Sequence, residues 1–250
     1  MLLLVKVHLG LFIEKGAEAV RRNDTVIMID VLRCSSTIIT ALFNGIIEIM
    51  PVESLEKAIE LRKNQNDTIL AGERKGLKPN GFDLGNSPNE FISSRLEGKK
   101  AVITTSNGTK ALEKVKNCKW VLVGAFLNAE SVVNAAFKLA KEEKSGITIL
   151  LASSSEDIYL EDFICGGLLS KKLLSMGANL DDSAYASMLA WNNAKENLNE
   201  IIKKSHHGEY LKGIGFENDI DFCLKIDLYP IVPWSNNGKI GLLPKERFIS

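Results

Sequence analysis

Hydrophobic residues in the first two thirds of the chain form short runs that are separated by amphipathic segments. The runs are rich in β-branched residues and have the length of strands that are buried on both faces. They cover residues 26–30, 46–52, 68–71, 101–105, 120–124 and 147–152. Helical patterns lie between them at residues 36–43, 54–64, 108–115 and 129–144. This alternation predicts an α/β fold with helices on both faces of a mostly parallel sheet.

The last third of the chain changes to helical patterns. A long helix at residues 160–176 is predicted to end at Gly177, which suits the left-handed conformation found after helices. Ser54 and Asn128 precede acidic first turns and are predicted N-caps. Further helices are expected at residues 182–193, 196–206 and 217–224, followed by a strand at 231–233.

These elements predict a three-layer α/β/α architecture with a mostly parallel, mixed sheet. At 250 residues the chain is long for one domain and short for two. We expect one α/β domain over residues 1–250, with two closely joined lobes as the alternative. The lobe boundary would then lie near residues 125–155.

Composition narrows the class of partner. A hydrophobic content of 45% supplies a buried core, and 31 basic residues balance 31 acidic ones. Proteins that bind nucleic acid or acidic membranes usually carry a basic excess, which this chain lacks, so any anionic partner must be bound by a local cluster. The four cysteines form no CxxC pair, and the apolar start lacks the features of a signal peptide. A reduced, cytoplasmic protein without a membrane span is therefore predicted.

The first candidate site follows the predicted strand at 26–30. Ligands of open α/β sheets bind beyond the carboxyl ends of strands, where helix N-termini offer N–H groups to anions. Asp30 lies at that end, Arg33 adds a planar fork of donors, and Ser35 and Ser36 add hydroxyl groups. The alternative is a strand end followed by an ordinary serine N-cap.

A second candidate is the run TTSNGT at residues 104–109, which again joins a strand to a helix. Small hydroxyl and amide side chains around a glycine form a cradle of donors for an oxyanion. Capping the helix alone needs one such residue, so anion binding is the favoured interpretation. The candidate ligand-binding residues are Thr105, Ser106, Asn107, Gly108 and Thr109.

A glycine-rich loop at residues 72–88 is the third candidate. It contains four glycines and two prolines, which excludes a helix or a central strand. Long loops in compact α/β proteins are usually functional or mobile, so the loop either approaches a ligand or is a solvated surface excursion. Its candidate contacts are Glu73, Arg74, Asn86 and Ser87.

Glu161 and Asp162 form the fourth candidate, after the predicted strand at 147–152. Two carboxylates beside anion-binding loops would call for a hard cation such as Mg²⁺, which bridges carboxylates and phosphate oxygens. The alternative is an acidic first turn that complements the helix dipole. His206 and His207 are predicted to be surface or capping residues unless one of them reaches the site.

Several phosphate and ester chemistries lack their motifs in this sequence. There is no GxxxxGK[ST] phosphate loop and no GxSxG nucleophile elbow. Leu32 excludes the DxD motif of haloacid-dehalogenase-type phosphatases at Asp30. Neither Cys34 nor Cys165 has the arginine six residues later that cysteine phosphatases require.

Taken together, the candidate segments resemble the 2-phosphosulfolactate phosphatase family. The resemblance runs from Asp30 to Pro233, and the combination of GFDLGNSP with TTSNGT is specific to that family. Cys34 stands where the family commonly has alanine, a substitution by a small residue that would bring a thiol near the site. The matching motifs are DVLR at 30–33, GER at 72–74, GFDLGNSP at 81–88, TTSNGT at 104–109, Glu161-Asp162, His207-Gly208 and Val232-Pro233.

The resemblance implies a Mg²⁺-dependent phosphatase of the coenzyme M pathway that converts (2R)-2-phospho-3-sulfolactate into 3-sulfolactate and phosphate. This substrate carries about four negative charges, since its phosphomonoester alone contributes nearly two. Asp30, with Glu161 or Asp162, is expected to hold Mg²⁺, and these three residues and Arg33 are the expected catalytic residues. Arg33 and residues 105–109 would bind the phosphate. The sulfonate and carboxylate would meet Arg74, Asn86 and Ser87, and the remaining substrate contacts are Ser35, Ser36, Glu73 and His207.

Metal-assisted attack of water on phosphorus is the favoured mechanism, and an aspartyl-phosphate at Asp30 is the alternative. Two rival functions stay open at this stage. One is a phosphatase for another 2-phospho-hydroxy acid, such as phospholactate or phosphoglycolate. The other is a non-catalytic phospho-ligand sensor, which would not need Glu161 and Asp162. The sequence leaves a homodimer open.

Overall fold

The computed structural model describes residues 4–63, 67–92, 96–154 and 157–248. All of the strands named here belong to one ten-stranded sheet. They are β1 (Lys6–Gly10), β2 (Thr25–Ile29), β3 (Glu48–Pro51), β4 (Thr68–Gly72), β5 (Lys100–Thr104), β6 (Val121–Gly124), β7 (Ile147–Leu151), β8 (Asn179–Leu180), β9 (Pro233–Asn236) and β10 (Lys239–Leu242).

The α-helices alternate with the strands as far as β8 and then follow one another. They are α1 (Gly16–Arg22), α2 (Cys34–Phe43), α3 (Leu55–Lys63), α4 (Gly108–Lys114), α5 (Ala129–Glu143), α6 (Leu160–Ser175), α7 (Asp182–Ala194), α8 (Leu198–Lys203), α9 (His206–Gly213) and α10 (Glu217–Cys223).

The central strand β2 shows how the helices form layers on both faces of the sheet. Its five residues are all buried, and alternate side chains point to opposite faces. Ile27 and Ile29 pack in the cluster that contains apolar residues of α5 and α6. Val26 and Met28 pack in the cluster that contains residues of α2 and α4. This arrangement confirms the predicted three-layer α/β/α fold.

The sheet consists of two parallel blocks that a hairpin joins. Its strand order is β4-β5-β3-β10-β9-β6-β2-β7-β1-β8. The first three strands are parallel to one another, and so are the last five. The β9–β10 hairpin pairs antiparallel with β3 on one side and with β6 on the other. The predicted mostly parallel, mixed sheet is therefore confirmed, while the division into one domain or two lobes stays a prediction.

Three antiparallel pairings separate the two blocks, so the blocks run in opposite directions through the sheet. In a flat sheet the ends of β5 and β2 would lie at opposite edges, about 24 Å apart across the five strand spacings between them. Yet Gly108, soon after β5, packs directly against Asp30, the residue after β2. The sheet must therefore coil strongly to bring these two ends together. The twist of the strands produces coiling in this direction.

Several element predictions are confirmed with small changes at their boundaries. Ser54 caps α3, because its Oγ accepts a hydrogen bond from the Lys57 N–H at 3.2 Å. Gly177 has a φ of 91°, as expected after the end of α6. The predicted end of α3 at residue 64 lies outside the described residues. No helix in the described ranges is long and apolar enough to cross a membrane.

Three element predictions are wrong, each because a local contact overrides the pattern. The helix predicted at 196–206 is broken: α8 ends at Lys203, and Ser205 caps α9 by accepting from the Gly208 N–H at 3.1 Å. Asn128 does not cap α5, since its side chain bonds instead to backbone groups of Val123, Ala125 and Ile231. The strand predicted at 231–233 is β9, which begins only at Pro233.

The hydrophobic pattern also misses three strands. β1 carries Lys6 and His8 between its apolar residues, and β8 is only two residues long. β10 has a glycine at its centre and a lysine at its start, which weakens the strand signal. These strands are specified by their pairing partners rather than by their own composition.

Candidate active site

A cavity of about 270 Å³ opens where the ends of β2, β4, β5 and β7 meet α9. It contains nine of the sequence-predicted site residues. These are Asp30, Arg33, Glu73, Asn86, Thr105, Ser106, Asn107, Asp162 and His207. The other predicted residues, Ser35, Ser36, Arg74, Ser87, Gly108, Thr109 and Glu161, do not line it.

Asp30 follows β2 and lines the cavity next to the first turn of α2. Its Oδ1 accepts a hydrogen bond from the backbone N–H of Cys34 at 3.0 Å. Burial raises the pKa of Asp30 to about 6, although the hydrogen bond from Cys34 acts in the opposite direction. The chain therefore holds a carboxylate at a helix start where its charge is only partly compensated.

Ser35 and Ser36 lie beneath this turn. The Ser35 Oγ accepts from the backbone N–H of Asp30 at 2.9 Å, and the Ser36 Oγ donates to the Val31 carbonyl at 2.8 Å. α2 begins at Cys34, so neither serine occupies the N-cap position that the alternative interpretation gave them. Both serines stabilise the β2–α2 turn, and their role in binding substrate stays a prediction.

Cys34 brings a thiol close to the site, as the sequence suggested. Burial and the neighbouring Asp30 carboxylate raise the pKa of Cys34 well above its ordinary value. A thiol in this environment stays protonated at neutral pH and is a poor nucleophile. Cys34 therefore acts as a packing residue under the site.

Asp162 and Glu161 belong to the first turn of α6 and are both fully buried. The Asp162 Oδ1 accepts from the backbone N–H of Val31 at 2.7 Å, which ties α6 to the end of β2. Burial, followed by repulsion from Glu161 and Asp30, raises the pKa of Asp162 well above its ordinary value. Three carboxylates thus crowd one region, which favours either protonation or a bound cation.

Glu161 holds His207 in the cavity wall from behind. Its Oε1 lies 2.6 Å from Nδ1 of His207, and its buried Oε2 has no hydrogen-bond partner among the described residues. Burial lowers the pKa of His207, but the hydrogen bond and charge of Glu161 outweigh this effect, so the pKa is raised. The ring also packs against Tyr159, with 4.8 Å between ring centroids.

The turn after β5 supplies neutral donors. Thr105 and Thr109 are joined by reciprocal contacts: the Thr109 N–H donates to Thr105 Oγ1 at 3.2 Å, and Thr109 Oγ1 donates to the Thr105 carbonyl at 3.0 Å. These bonds fix the turn so that Thr105, Ser106 and Asn107 line the cavity. Asn107 also donates to the hydroxyl of Tyr159 at 3.2 Å.

Gly108 is the point of contact between the two parallel blocks. A Cβ added there would lie 2.6 Å from the Cys34 Sγ and 2.7 Å from the Asp30 Oδ2. Neither distance is sterically allowed, so only glycine lets the turn approach Asp30 this closely. Its part in the site is close approach rather than a side-chain contact.

The loop at residues 72–88 is held in place by hydrogen bonds. Glu73 accepts from the N–H groups of Gly76 at 2.8 Å and Ser106 at 2.6 Å, which joins the loop to the β5 turn. The guanidinium of Arg74 points away from the cavity and donates to the carbonyl of Glu53 and the hydroxyl of Thr104. The structure therefore does not bring Arg74 to the position that sulfonate binding requires.

Arg33 lies in the cavity wall within a buried network. Its Nη1 donates to Asp219 Oδ2 at 2.7 Å, and its Nη2 donates to the Gly76 carbonyl at 2.5 Å. The guanidinium also lies 4.0 Å from the ring centroid of Phe216. The remaining N–H groups of the fork are left for a ligand, in an orientation that Asp219 fixes.

Asn86 and Ser87 contribute differently from one another. Asn86 lines the cavity, and its buried Oδ1 has no partner among the described residues. Ser87 instead donates to Asp219 Oδ1 at 2.7 Å, alongside Asn89 at 2.9 Å. Ser87 therefore supports the network around Arg33.

Sequence reasoning misses four residues that shape the site: Lys75, Tyr159, Tyr210 and Asp219. Lys75 adjoins the predicted Arg74, and the loop's alternation of charges gives no basis for choosing between them. Tyr159 lies next to Glu161, so only its aromatic character near an acidic pair could have marked it. Tyr210 and Asp219 lie in α9 and α10, whose position over the sheet edge no local pattern indicates.

The residues present fit a Mg²⁺ ion that the substrate helps to bind. Among the described residues, no group of three or more His, Cys, Asp or Glu side chains could hold a metal ion unaided. Mg²⁺ is, however, usually bound by one or two carboxylates together with phosphate oxygens and water. Asp30 and Asp162 supply two such carboxylates, and burial raises the pKa of each of them.

The fold and site define the class of protein: an α/β protein with a cavity at strand ends that is lined by carboxylates and neutral donors. A sequence profile of the family "2-phosphosulpholactate phosphatase" matches residues 11–238. The chain belongs to this family of phosphoric monoester hydrolases.

Relatives in three bacteria cover most of both chains, and each is named "Probable 2-phosphosulfolactate phosphatase". The protein of Clostridium beijerinckii is 36% identical over 88% of this chain and 92% of its own. That of Caldanaerobacter subterraneus subsp. tengcongensis is 39% identical over 87% and 90%, respectively. The protein of Thermotoga maritima is 38% identical over 86% and 90%. These matches confirm the resemblance drawn from the sequence motifs.

Proposed function

We propose that this protein hydrolyses (2R)-2-phospho-3-sulfolactate to 3-sulfolactate and inorganic phosphate. The observation that carries the proposal is the packing of Gly108 against Asp30, which brings the donor turn after β5 to the carboxylates after β2 and β7. Phosphate-ester hydrolysis needs both groups at one place, because the phosphoryl oxygens must be held while charge develops on them. The names of the relatives support the choice of substrate.

The phosphate would be held by the buried Arg33 and by the half-buried turn after β5. Ser106 and Asn107 offer hydroxyl and amide donors, and Arg33 offers the N–H groups that Asp219 and Gly76 leave free. Because Asp219 and Phe216 already fix the guanidinium, little side-chain entropy is lost when the phosphate binds. These donors are oriented before the substrate arrives.

Mg²⁺ is part of the proposal, with Asp30 and Asp162 as the residues that would hold it. When bound, such an ion neutralises phosphoryl oxygens and lowers the pKa of a bound water. Glu161 was expected to be an alternative ligand, but its Oε1 is engaged by His207. Its metal-binding role stays a prediction.

The proposal also gives His207 a role toward the leaving group. Glu161 occupies its Nδ1, so Nε2 is the ring nitrogen left to face the cavity. Against the opposing effect of burial, the hydrogen bond and charge of Glu161 favour the protonated ring and raise the pKa of His207. We assign Nε2 the role of general acid that donates a proton to the departing 2-hydroxyl oxygen of sulfolactate.

A substrate panel tests the proposal. Phosphate release is measured with 2-phosphosulfolactate, phospholactate and phosphoglycolate in the presence of Mg²⁺, with His207→Gln as the matched variant. We expect the sulfonate-bearing substrate to have the highest kcat/KM. Higher activity on phospholactate or phosphoglycolate would favour the first rival function. Binding of the sulfonate-bearing compound without phosphate release would favour the non-catalytic sensor.

A cytoplasmic location and a place in the coenzyme M pathway belong to the same proposal and are supported by the family resemblance. Attack by water is preferred to an aspartyl-phosphate at Asp30. A phosphoenzyme trapped with labelled substrate, and absent from Asp30→Asn, would reverse that preference. A homodimer stays a prediction.

A further inference from the structure

The two cationic side chains of the cavity wall differ in how far their charge is already compensated. Among the described residues, and apart from the histidines, Arg33 and Lys75 are the basic residues that line it. Arg33 forms a buried ion pair with Asp219 at 2.7 Å. The Nζ of Lys75 forms neither a hydrogen bond nor an ion pair within the described part of the chain. Lys75 therefore offers the cavity an uncompensated positive charge.

The backbone around Lys75 is fixed, although its side chain is exposed. Lys75 adopts a left-handed conformation with a φ of 52°, and its carbonyl accepts from the Tyr210 hydroxyl at 2.9 Å. The next residue, Gly76, is held at its N–H by Glu73 and at its carbonyl by Arg33. This places the origin of the lysine side chain at a defined point on the rim of the cavity.

The proposed substrate needs such a charge in addition to the groups that hold its phosphate. Its phosphate and carboxylate share C2, whereas the sulfonate is on C3 and extends one carbon further. With the phosphate held by Arg33, Ser106 and Asn107 as proposed above, the sulfonate would be the group left to meet the exposed Lys75 on the rim. An ammonium group has three donors and matches the three equivalent oxygens of a sulfonate.

We propose that Lys75 is the specificity-determining residue that binds the sulfonate of the substrate. The inference rests on the proposed function and assigns to Lys75 the part that the sequence motif gave to its neighbour Arg74. Arg74 is occupied outside the cavity by the Glu53 carbonyl and the Thr104 hydroxyl. Adjacent residues of the same loop therefore have separate tasks, with Arg74 anchoring the loop and Lys75 facing the ligand.

The test compares Lys75→Met with Lys78→Met on two substrates. Methionine keeps the length of the side chain and removes its charge, and Lys78 is a lysine of the same loop that does not line the cavity. Phospholactate is the second substrate because it keeps the phosphate and carboxylate but lacks the sulfonate. Thermal unfolding of each variant shows whether the fold is intact.

For Lys75→Met we expect kcat/KM on 2-phosphosulfolactate to fall about 10- to 100-fold, chiefly through KM, because a charge-assisted contact remote from the reacting bond is lost. On phospholactate the fall should stay below about 3-fold, within the range of a weak surface effect. Lys75→Arg should recover part of the loss, and Lys78→Met should resemble the wild type on both substrates.

An equal fall on both substrates would overturn the inference, since Lys75 would then serve the phosphate or carboxylate. Unchanged kinetics in Lys75→Met would overturn it as well. If the wild-type protein releases phosphate from neither substrate, the proposed function fails and the inference fails with it. That result is seen in the wild type alone and is thus distinct from failure of the lysine assignment.

Discussion

The two sides of the cavity differ in how well their polar groups are satisfied before a ligand binds. The carboxylate side consists of Asp30 and Asp162, which follow β2 and β7, with Glu161 behind the cavity wall. The donor side is the turn at residues 105–109, which follows β5. On the carboxylate side burial raises the pKa values of Asp30 and Asp162, whereas Thr105 and Thr109 on the donor side satisfy each other.

The carboxylate side therefore lowers the stability of the fold, whereas the donor side contributes to the geometry of the site without that loss of stability. Buried carboxylates that no cation neutralises destabilise the fold, and such costs are typical of functional positions. The donor turn carries no net charge and would be stable in any α/β protein. Substitutions that remove a charge on the carboxylate side should therefore lower activity and raise stability. Substitutions that disturb the donor side should lower both.

Asp30→Asn should produce the largest effect. The amide keeps the acceptor for the Cys34 N–H but removes the charge that faces the cavity. We expect kcat to fall by at least about 100-fold, the size of effect seen when one electrostatic contact to the transition state is lost. Steady-state phosphate release measures this, and activity near that of the wild type would place Asp30 outside the chemistry.

The same substitution should stabilise the metal-free protein. The pKa of Asp30 is raised from 3.8 to about 6, so across that interval the native state binds more protons than the unfolded state. The free energy of unfolding of the wild type therefore falls as pH rises from 3.8 to about 6, and this contribution is absent from Asp30→Asn. Above pH 6 we expect a gain of about 1 kcal/mol, seen as a higher Tm at pH 7.5 but not at pH 3.5.

Gly108→Ala should reduce activity and stability together. Its Cβ would collide with the Cys34 Sγ and the Asp30 Oδ2, which forces the two sides apart. We expect a loss of about 1–3 kcal/mol in the free energy of unfolding and about 10-fold in kcat/KM. Gly213→Ala is the matched control, because a Cβ there meets no heavy atom within 4 Å. Equal results for the two variants would contradict the close approach at Gly108.

Arg33→Lys should have the smallest of these effects and should still exceed that of Arg74→Lys. Lysine keeps the charge but cannot contact Asp219, the Gly76 carbonyl and a phosphate at the same time. We expect kcat/KM to fall about 10-fold, a cost of about 1.4 kcal/mol. Arg74→Lys should change kcat/KM less than about 3-fold, because its guanidinium lies outside the cavity. A larger fall in kcat/KM for Arg74→Lys than for Arg33→Lys would contradict this prediction.

The groups that carry charge or donors at strand ends could be predicted from sequence, because position after a strand is a local property. Asp30, Asp162 and the 105–107 turn belong to this set, and all of them line the cavity. Lys75 could not be separated from Arg74, since the directions of the two side chains depend on the left-handed conformation of Lys75 itself. Asp219 could not be found either, because it reaches Arg33 only through the docking of α10.

The overall topology could likewise be predicted only in part from the sequence. Strand and helix alternation predicts the layers and the mostly parallel sheet, since each element reflects its own burial pattern. The β9–β10 hairpin that joins the two blocks depends on pairing between distant segments, such as Ile240 with Ile49. No local pattern indicates that this hairpin reverses the direction of one block and that the sheet must coil to close the site.

The most direct test of the account is phosphate release from 2-phosphosulfolactate by protein treated with EDTA and then titrated with Mg²⁺. If the carboxylate side holds a divalent cation, EDTA should lower the rate by at least about 100-fold, and Mg²⁺ or Mn²⁺ should restore it. Asp162→Asn should not recover at the Mg²⁺ concentration that restores the wild type. Full turnover in EDTA would contradict the account, because the crowded carboxylates would then need another explanation.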